Sequence, residues 1–330
     1  MTQTTPADGR RSSAVIAVGG NALLRPGEPL EAANQARAAR AAAGLLARAA
    51  GRHRLIVTHG NGPQVGLLAV MSATWTETEP YPLDVLGSET EGQIGYVLEL
   101  ALDNAVEEQE TVSVLTRVVV DAADPAFATP TKFIGQLYPS ERQARGVAEA
   151  HGWTIGRTDG GWRRVVPSPR PRRIVQLRVI RRLFEDGFLV VCTGGGGIPV
   201  VEDPDGHQRG VEAVIDKDLA SALLAVDLGV DLLMLATDVD AVYDGYGTPA
   251  QRAITHATPA GLRALQFPAG SMGPKVEAVC SFVERRGGRG AIGSLDDIDE
   301  LLAGRAGTQV VRHGPGLEYD HRGGAGELAA

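Results

Sequence analysis

The chain has 330 residues, 43% of them hydrophobic and 22% charged, and a formal net charge of −8. This is ordinary globular composition with enough apolar material for a core, and the length suits one large α/β domain with an appendage. The acidic balance argues against general nucleic-acid binding, which needs a basic face, and no run of 18 apolar residues is present to span a membrane.

Residues 1–13 read as a polar, loose leader with no apolar h-region, so they are not a signal peptide. Residues 14–18 are a short buried strand ending in Gly19-Gly20-Asn21, and residues 30–50, rich in Ala, are a helix. Residues 54–58 are the next strand, running into His59-Gly60-Asn61-Gly62-Pro63, with a helix over 65–74. Strand, helix, strand, helix at this spacing predicts βαβ units and a parallel sheet. Residues 94–106 read as a helix and 112–120 as one β-branched strand. From 121 to 171 the character changes: Lys132 lies between Pro130 and Gly135, a polar helix follows near 140–150, and a hairpin turns at Asp159-Gly160. This stretch is expected to be a small subdomain or lid inserted into the α/β domain.

A helix over 174–185 leads to strand 188–192 and the run Gly194-Gly195-Gly196-Gly197. Residues 199–211 are a hairpin turning at Asp205-Gly206. A helix starts behind Asp216, strand 232–235 enters Thr237-Asp238, and helices from 259 and from Lys275 precede a last strand at 290–293. A helix over 295–302 and residues 307–311 follow, and residues 313–330 read as a loose tail. Cys192 and Cys280 are the only cysteines and have no disulfide or metal spacing. They read as reduced structural thiols of a cytoplasmic protein.

Four apolar strands thus end in Gly-rich or polar loops. In an open α/β sheet such ends line one edge, where ligands bind, and glycine backbones with helix N-termini suit anions. The expected ligand is rich in phosphate, or two anionic ligands meet there. No GxGxxG or GxxxxGK[ST] pattern occurs, so neither a dinucleotide dehydrogenase nor a P-loop enzyme is supported.

Lysine use sharpens this. Of 32 Lys plus Arg, only Lys132, Lys217 and Lys275 are lysines. Two stand at helix starts and one on the insert, where compact ammonium groups suit phosphoryl transfer by charge neutralisation and positioning. Asp216 or Asp218 is placed to hold these lysines or to bind Mg²⁺. His59 reads as structural, and no covalent nucleophile is evident. The Arg-rich stretch 163–182 reads as a solvated face, with dimer contact or phosphate steering as the alternative.

In order along the chain, Ala17-Val18-Gly19-Gly20-Asn21-Ala22-Leu23, Thr58-His59-Gly60-Asn61-Gly62-Pro63-Gln64-Val65-Gly66, Pro130-Thr131-Lys132, Gly194-Gly195-Gly196-Gly197-Ile198-Pro199, Ile215-Asp216-Lys217-Asp218, Thr237-Asp238-Val239-Asp240 and Gly270-Ser271-Met272-Gly273-Pro274-Lys275 resemble carbamate kinase of the amino-acid kinase superfamily. The resemblance covers residues 14–311. It implies a three-layer αβα sandwich with an open, mainly parallel, eight-stranded central sheet and a small protruding subdomain at 121–171. It implies phosphoryl transfer between ATP and carbamate with Mg²⁺, in a homodimer, ATP-forming in arginine breakdown. Lys132, Lys217, Lys275 and Asp218 would be catalytic. Gly19, Gly20, Asn21, Gly60, Asn61, Gly62, Gly195 and Gly196 would line the substrate. Asp216, Thr237, Asp238, Asp240, Tyr243 and Met272 would serve the nucleotide. Phe133 departs from the family's usual proline, and Thr90-Glu91 from its usual Ser-Gln. Another small-acid kinase of this fold, or a non-catalytic sensor of carbamoyl phosphate or nucleotide, is the alternative.

Overall fold

Strand β1 (Ser13–Val18) shows how the layers arise. Successive side chains of a strand point to opposite faces. Val15 and Ala17 enter one buried cluster, and Ala14, Ile16 and Val18 enter another. Both faces are therefore apolar, as a doubly covered parallel sheet requires. This computed structural model describes residues 11–20, 23–24, 27–75, 77–158, 160–268 and 270–320.

In chain order the elements after β1 are α1 (Ala32–Ala50), β2 (Arg54–His59), α2 (Gly62–Thr74), α3 (Leu83–Asp103), β3 (Thr111–Val114) and β4 (Arg117–Val120). Next come β5 (Lys132–Tyr138), α4 (Glu141–His151), β6 (Ile155–Thr158), β7 (Gly161–Val166), β8 (Pro171–Ile174), α5 (Leu177–Glu185) and β9 (Leu189–Cys192). Then follow β10 (Ile198–Glu202), β11 (Gln208–Gly210), α6 (Lys217–Leu228), β12 (Leu232–Thr237), β13 (Val242–Asp244) and β14 (Arg252–Ala257). The chain closes with α7 (Pro259–Arg263), α8 (Met272–Arg286), β15 (Arg289–Ser294), α9 (Ile298–Leu302), β16 (Thr308–Val310) and β17 (Leu317–Tyr319).

The main sheet runs β13-β14-β16-β15-β12-β1-β2-β9-β3, with β17 paired to β14. Its centre is parallel: β12, β1, β2 and β9 are successive neighbours, with Ile16 opposite Met234 and Val57, and Ile56 opposite Val190. Helices α5, α6, α7 and α8 cover one face, and α1, α3 and α9 the other. The three-layer α/β architecture with a mostly parallel sheet is thus present, with ten strands among the described residues where the resemblance implied eight. A second sheet, β11-β10-β4-β8, and a three-stranded antiparallel sheet, β5-β7-β6, complete the molecule.

Several local expectations change. Residues 112–120 are two strands in two sheets, because the chain turns at Leu115-Thr116, where the Thr116 hydroxyl donates to the Val114 carbonyl (2.7 Å). Helix α3 begins at Leu83, eleven residues before the predicted start at 94. Its buried stripe passes through Thr90 and Glu91, and these polar residues interrupt the apolar pattern. The predicted helix 174–185 starts only at Leu177, since Pro171–Ile174 pairs antiparallel with β4. Residues 132–138 form a strand that sequence reading did not assign. Within the expected loose tail, Leu317–Tyr319 is an ordered strand: the Tyr319 hydroxyl donates to Asp244 and its ring carries the Arg252 guanidinium at 3.9 Å.

The β5-β7-β6 sheet with α4 sits over α2. The backbones of Gly66 on α2 and Gly135 on β5 lie so close that a Cβ on Gly66 would come within 2.5 Å of Gly135 Cα. Glycine at 66 permits this seating, and glycine at 135 suits its φ of +75°.

Candidate active site

Because β12, β1, β2 and β9 are adjacent and parallel, their carboxyl ends deliver Thr237, Gly19-Gly20, Gly60-Asn61 and the 193–197 loop to one edge of the sheet. The loops touch. A Cβ on Gly60 would lie 3.5 Å from Gly20 N and 3.4 Å from the Lys217 stem, and a Cβ on Gly195 would strike the Asn61 side chain at 2.2 Å. Asn21 lies outside the described residues.

Helix α6 starts at the same edge. Asp216 caps it, accepting from the N–H groups of Asp218 (2.9 Å) and Leu219 (3.3 Å), which satisfies two otherwise orphaned donors. The other oxygen of Asp216 accepts from Lys132 Nζ at 2.8 Å, so the β5 lysine reaches back to the core. Asp218, in the first turn, is 4% exposed. One of its oxygens accepts from Lys217 Nζ (2.5 Å) and the other from Lys275 Nζ (2.9 Å), the latter brought in by α8 packed beside α6. All three lysines of the chain therefore contact the carboxylates of one helical turn.

Their electrostatics follow from burial. Burial alone would raise the Asp218 carboxyl, but the two ammonium groups outweigh it and hold it well below the usual carboxylate range. Burial lowers Lys217, with Lys275 beside it adding to the effect against Asp218. Lys275 is raised: burial opposes its charge, and Asp218 more than compensates. Two cations thus share one anion, leaving an excess positive charge facing the glycine loops. That arrangement suits a transferring phosphoryl group.

Asp216, expected among the nucleotide residues, engages Lys132 and the α6 backbone instead of the β12 edge. Along that edge Thr237 ends β12, and the Tyr243 hydroxyl donates to Asp240 (2.6 Å). Met272 opens α8 and packs partly buried against the core. Asp238 is exposed. Gly62 opens α2, and Gly196 packs on the Ile215 carbonyl directly before Asp216.

A model of the amino acid kinase family matches residues 13–294. The carbamate kinase of Haemophilus influenzae is 48% identical over 306 residues, covering 92% of this chain and 98% of that protein. The carbamate kinase of Rhizobium meliloti is 51% identical over 300 residues, 90% and 92% of the two chains. The structure of Giardia lamblia carbamate kinase bound to AMP-PNP superposes with a TM-score of 0.83 at 38% identity, covering 91% of this chain and 98% of that one. The chain belongs to the amino acid kinase family, among the carbamate kinases.

For a carbamate kinase chain, the less expected residues are those beneath the loops. Asn61 Nδ2 donates to Thr90 Oγ1 (2.9 Å), and Gly194 N–H donates to Glu91 (2.9 Å), so adjacent α3 residues each grip one loop. In the sequence this pair stands out only as a departure from the family pattern, because a helix starting at 94 does not contain it; in α3 both lie on the buried face. His59 is also buried: Nδ1 pairs with the Gly60 carbonyl (3.2 Å), Nε2 has no partner among the described residues, and burial lowers the imidazole to about 4, so it is neutral. The arginine-rich stretch is largely paired: Arg172 with Asp121, Arg173 with Glu202, and Arg182 with Asp186. Arg164 differs, stacking on Trp153 (4.2 Å) and donating to Glu212 (2.6 Å), which also accepts from Leu83 N–H at the start of α3.

Proposed function

We propose that this chain transfers a phosphoryl group between ATP and carbamate and runs toward ATP in arginine breakdown. The observation that carries this reading is the convergence of Lys132, Lys217 and Lys275 on Asp216 and Asp218, against three touching glycine loops. In the ATP-forming direction a β-phosphate oxygen of ADP attacks the phosphorus of carbamoyl phosphate. The new P–O bond forms as the bond to carbamate breaks, and carbamate leaves with that electron pair. Lys217 and Lys275 neutralise the group in flight, Asp218 fixes their positions, and Lys132 reaches carbamoyl phosphate from the β5 side. Gly19, Gly20, Asn21, Gly60, Asn61, Gly62, Gly195 and Gly196 bring backbone and amide donors close to the substrate. Thr237, Asp238, Asp240, Tyr243 and Met272 serve the nucleoside.

In this reading Mg²⁺ travels with the nucleotide. Among the described residues no cluster of three or more His, Cys, Asp or Glu is arranged to hold a metal ion. All four carboxylate oxygens of Asp216 and Asp218 already accept hydrogen bonds. The side chains present do not fit a resident metal, and no step is assigned to one. Among the described residues no helix is long and apolar enough to cross a membrane. We take the enzyme as a cytoplasmic homodimer, with the β5-β7-β6 unit as its lid.

Incubation with ADP, carbamoyl phosphate and Mg²⁺ is expected to yield ATP, and a failure to do so sinks the proposal. Activity only with another acyl phosphate would favour a different small-acid kinase. Lys132→Ala is expected to raise KM for carbamoyl phosphate roughly 10-fold, the loss of one hydrogen bond to a charged group. The thermal midpoint should barely move, because the ion pair to Asp216 is partly exposed, with Lys132 31% accessible. An unchanged KM would remove Lys132 from the site.

A further inference from the structure

The 193–197 loop follows an unusual path. Thr193 has φ 56°, the one positive value for a non-glycine residue among those described, and Gly195, Gly196 and Gly197 are left-handed as well. A β-branched residue in this region is strained by about 1–3 kcal/mol and persists only where its surroundings hold it.

The holders are identifiable. Thr193 N–H donates to Thr116 Oγ1 (3.0 Å). Gly194 N–H donates to Glu91 Oε1 (2.9 Å), and Thr116 N–H donates to Glu91 Oε2 (3.1 Å). One carboxyl group thus ties α3 to the turn between β3 and β4 and to the loop after β9. Glu91 is 3% exposed, and a Cβ on Gly194 would strike His59 and Glu91 themselves. The loop so fixed packs on Asn61 through Gly195 and on the Ile215 carbonyl through Gly196, one residue before Asp216.

We propose that Glu91 is a positioning residue for phosphoryl transfer, holding the 193–197 loop against Asn61 and Ile215. The proposal rests on the reading of these loops as the substrate cradle. Glu91 does not touch the reacting groups; it acts through Gly194 and Thr116.

The surroundings also set its charge. It borders a cavity of about 240 Å³ lined by Tyr96 and Glu99 of its own helix, Ser113 and Leu115 of the β3–β4 segment, His59 of β2 and Cys192 of β9. His59 is neutral, burial raises the Cys192 thiol to about 12, and no Lys or Arg is among the lining residues. Burial therefore raises Glu91 to about 8, against the two N–H donors that lower it. At neutral pH it works as the uncharged acid. Once ionised, it sets a negative charge behind a loop that must receive an anion.

The folded pKa lies above the unfolded value of 4.5, so the folded state holds the proton more tightly. The stability associated with the neutral acid is complete below pH 4.5 and is lost as pH rises through about 8. Glu91→Gln keeps one acceptor for Gly194 and removes the titration.

The test is steady-state kinetics with carbamoyl phosphate and ADP from pH 6 to 10, together with thermal midpoints, for wild type, Glu91→Gln and Glu91→Ala. In the wild type, KM for carbamoyl phosphate is expected to rise severalfold through pH 8 with a smaller change in kcat, and in Glu91→Gln this rise is expected to disappear. The thermal midpoint of Glu91→Gln relative to wild type is expected to increase from pH 6 to pH 9. Glu91→Ala is expected to lose about 10-fold in kcat/KM at every pH, the loop having lost its clamp, with Glu91→Gln restoring most of it at pH 7. Superimposable pH profiles for wild type and Glu91→Gln, or wild-type kinetics in Glu91→Ala, overturn the proposal. If Glu91→Ala does not fold, the Glu91→Gln profile decides alone. Failure of the site reading is distinguishable: Lys217→Arg would then be fully active while the Glu91 difference persisted.

Discussion

Lys217→Arg is expected to lower kcat for ATP formation by at least ~10²-fold, the scale of losing one preorganised charge contact in a water-poor site. The two cations are not equivalent here. The Lys217 side chain is only 13% exposed, its ammonium lies 2.5 Å from Asp218, and its stem runs beside Gly60, where an added Cβ would lie 3.4 Å from it. A planar guanidinium is longer and directs its donors in a fixed fork, so it would not reproduce the compact ammonium contact with Asp218. Lys275 shares that carboxylate from the other side, so movement of Asp218 disturbs both cations. The measurement is single-turnover ATP formation at saturating ADP and carbamoyl phosphate. Turnover near the wild-type value would refute the idea that this position requires an ammonium.

Gly196→Ala is expected to be nearly as damaging, through the backbone alone. Gly196 has φ +93°, and an added Cβ would lie 2.5 Å from the Ile215 carbonyl oxygen and 2.9 Å from its carbon. Relief must come from moving Ile215, and Ile215 precedes the Asp216-Lys217-Asp218 turn. A displacement near 1 Å at a phosphoryl-transfer site costs roughly 10² in rate. The left-handed backbone adds about 1–3 kcal/mol of instability. Gly206→Ala is the control: its φ is +81°, but nothing among the described residues lies within 4 Å of the new Cβ, so stability falls while kcat stays. Equal kinetics for the two variants would show that the Ile215 contact is immaterial.

The residues that announced themselves in the sequence did so by contrast. Three lysines among many arginines stood out, and glycine runs at the ends of apolar strands marked the sheet edge. Those strands are short, apolar and β-branched, so their place in a parallel sheet was readable. What sequence reading missed depends on tertiary partners. Residues 112–120 look continuous because Leu115 and Thr116 carry no breaker; the turn there is made by a threonine hydroxyl and by Glu91 across the molecule. The start of α3 was hidden because its buried stripe includes Thr90 and Glu91, whose polar atoms are satisfied only by distant loops. Residues 317–319 read as polar tail, yet they pair with β14, a pairing that period-2 patterning over three residues cannot reveal.

The scarcity of lysine also shapes how the surface meets electrophiles. A guanidinium stays protonated in proteins and is a poor nucleophile, whereas an amine reacts once it loses its proton. This chain has three side-chain amines, all at one site, and two of them are 13% and 14% exposed and bound to a carboxylate. Acylating or carbamoylating agents therefore meet an exterior whose side chains offer almost no amine targets. Any stoichiometric loss of a lysine amine reports on the proposed reaction centre.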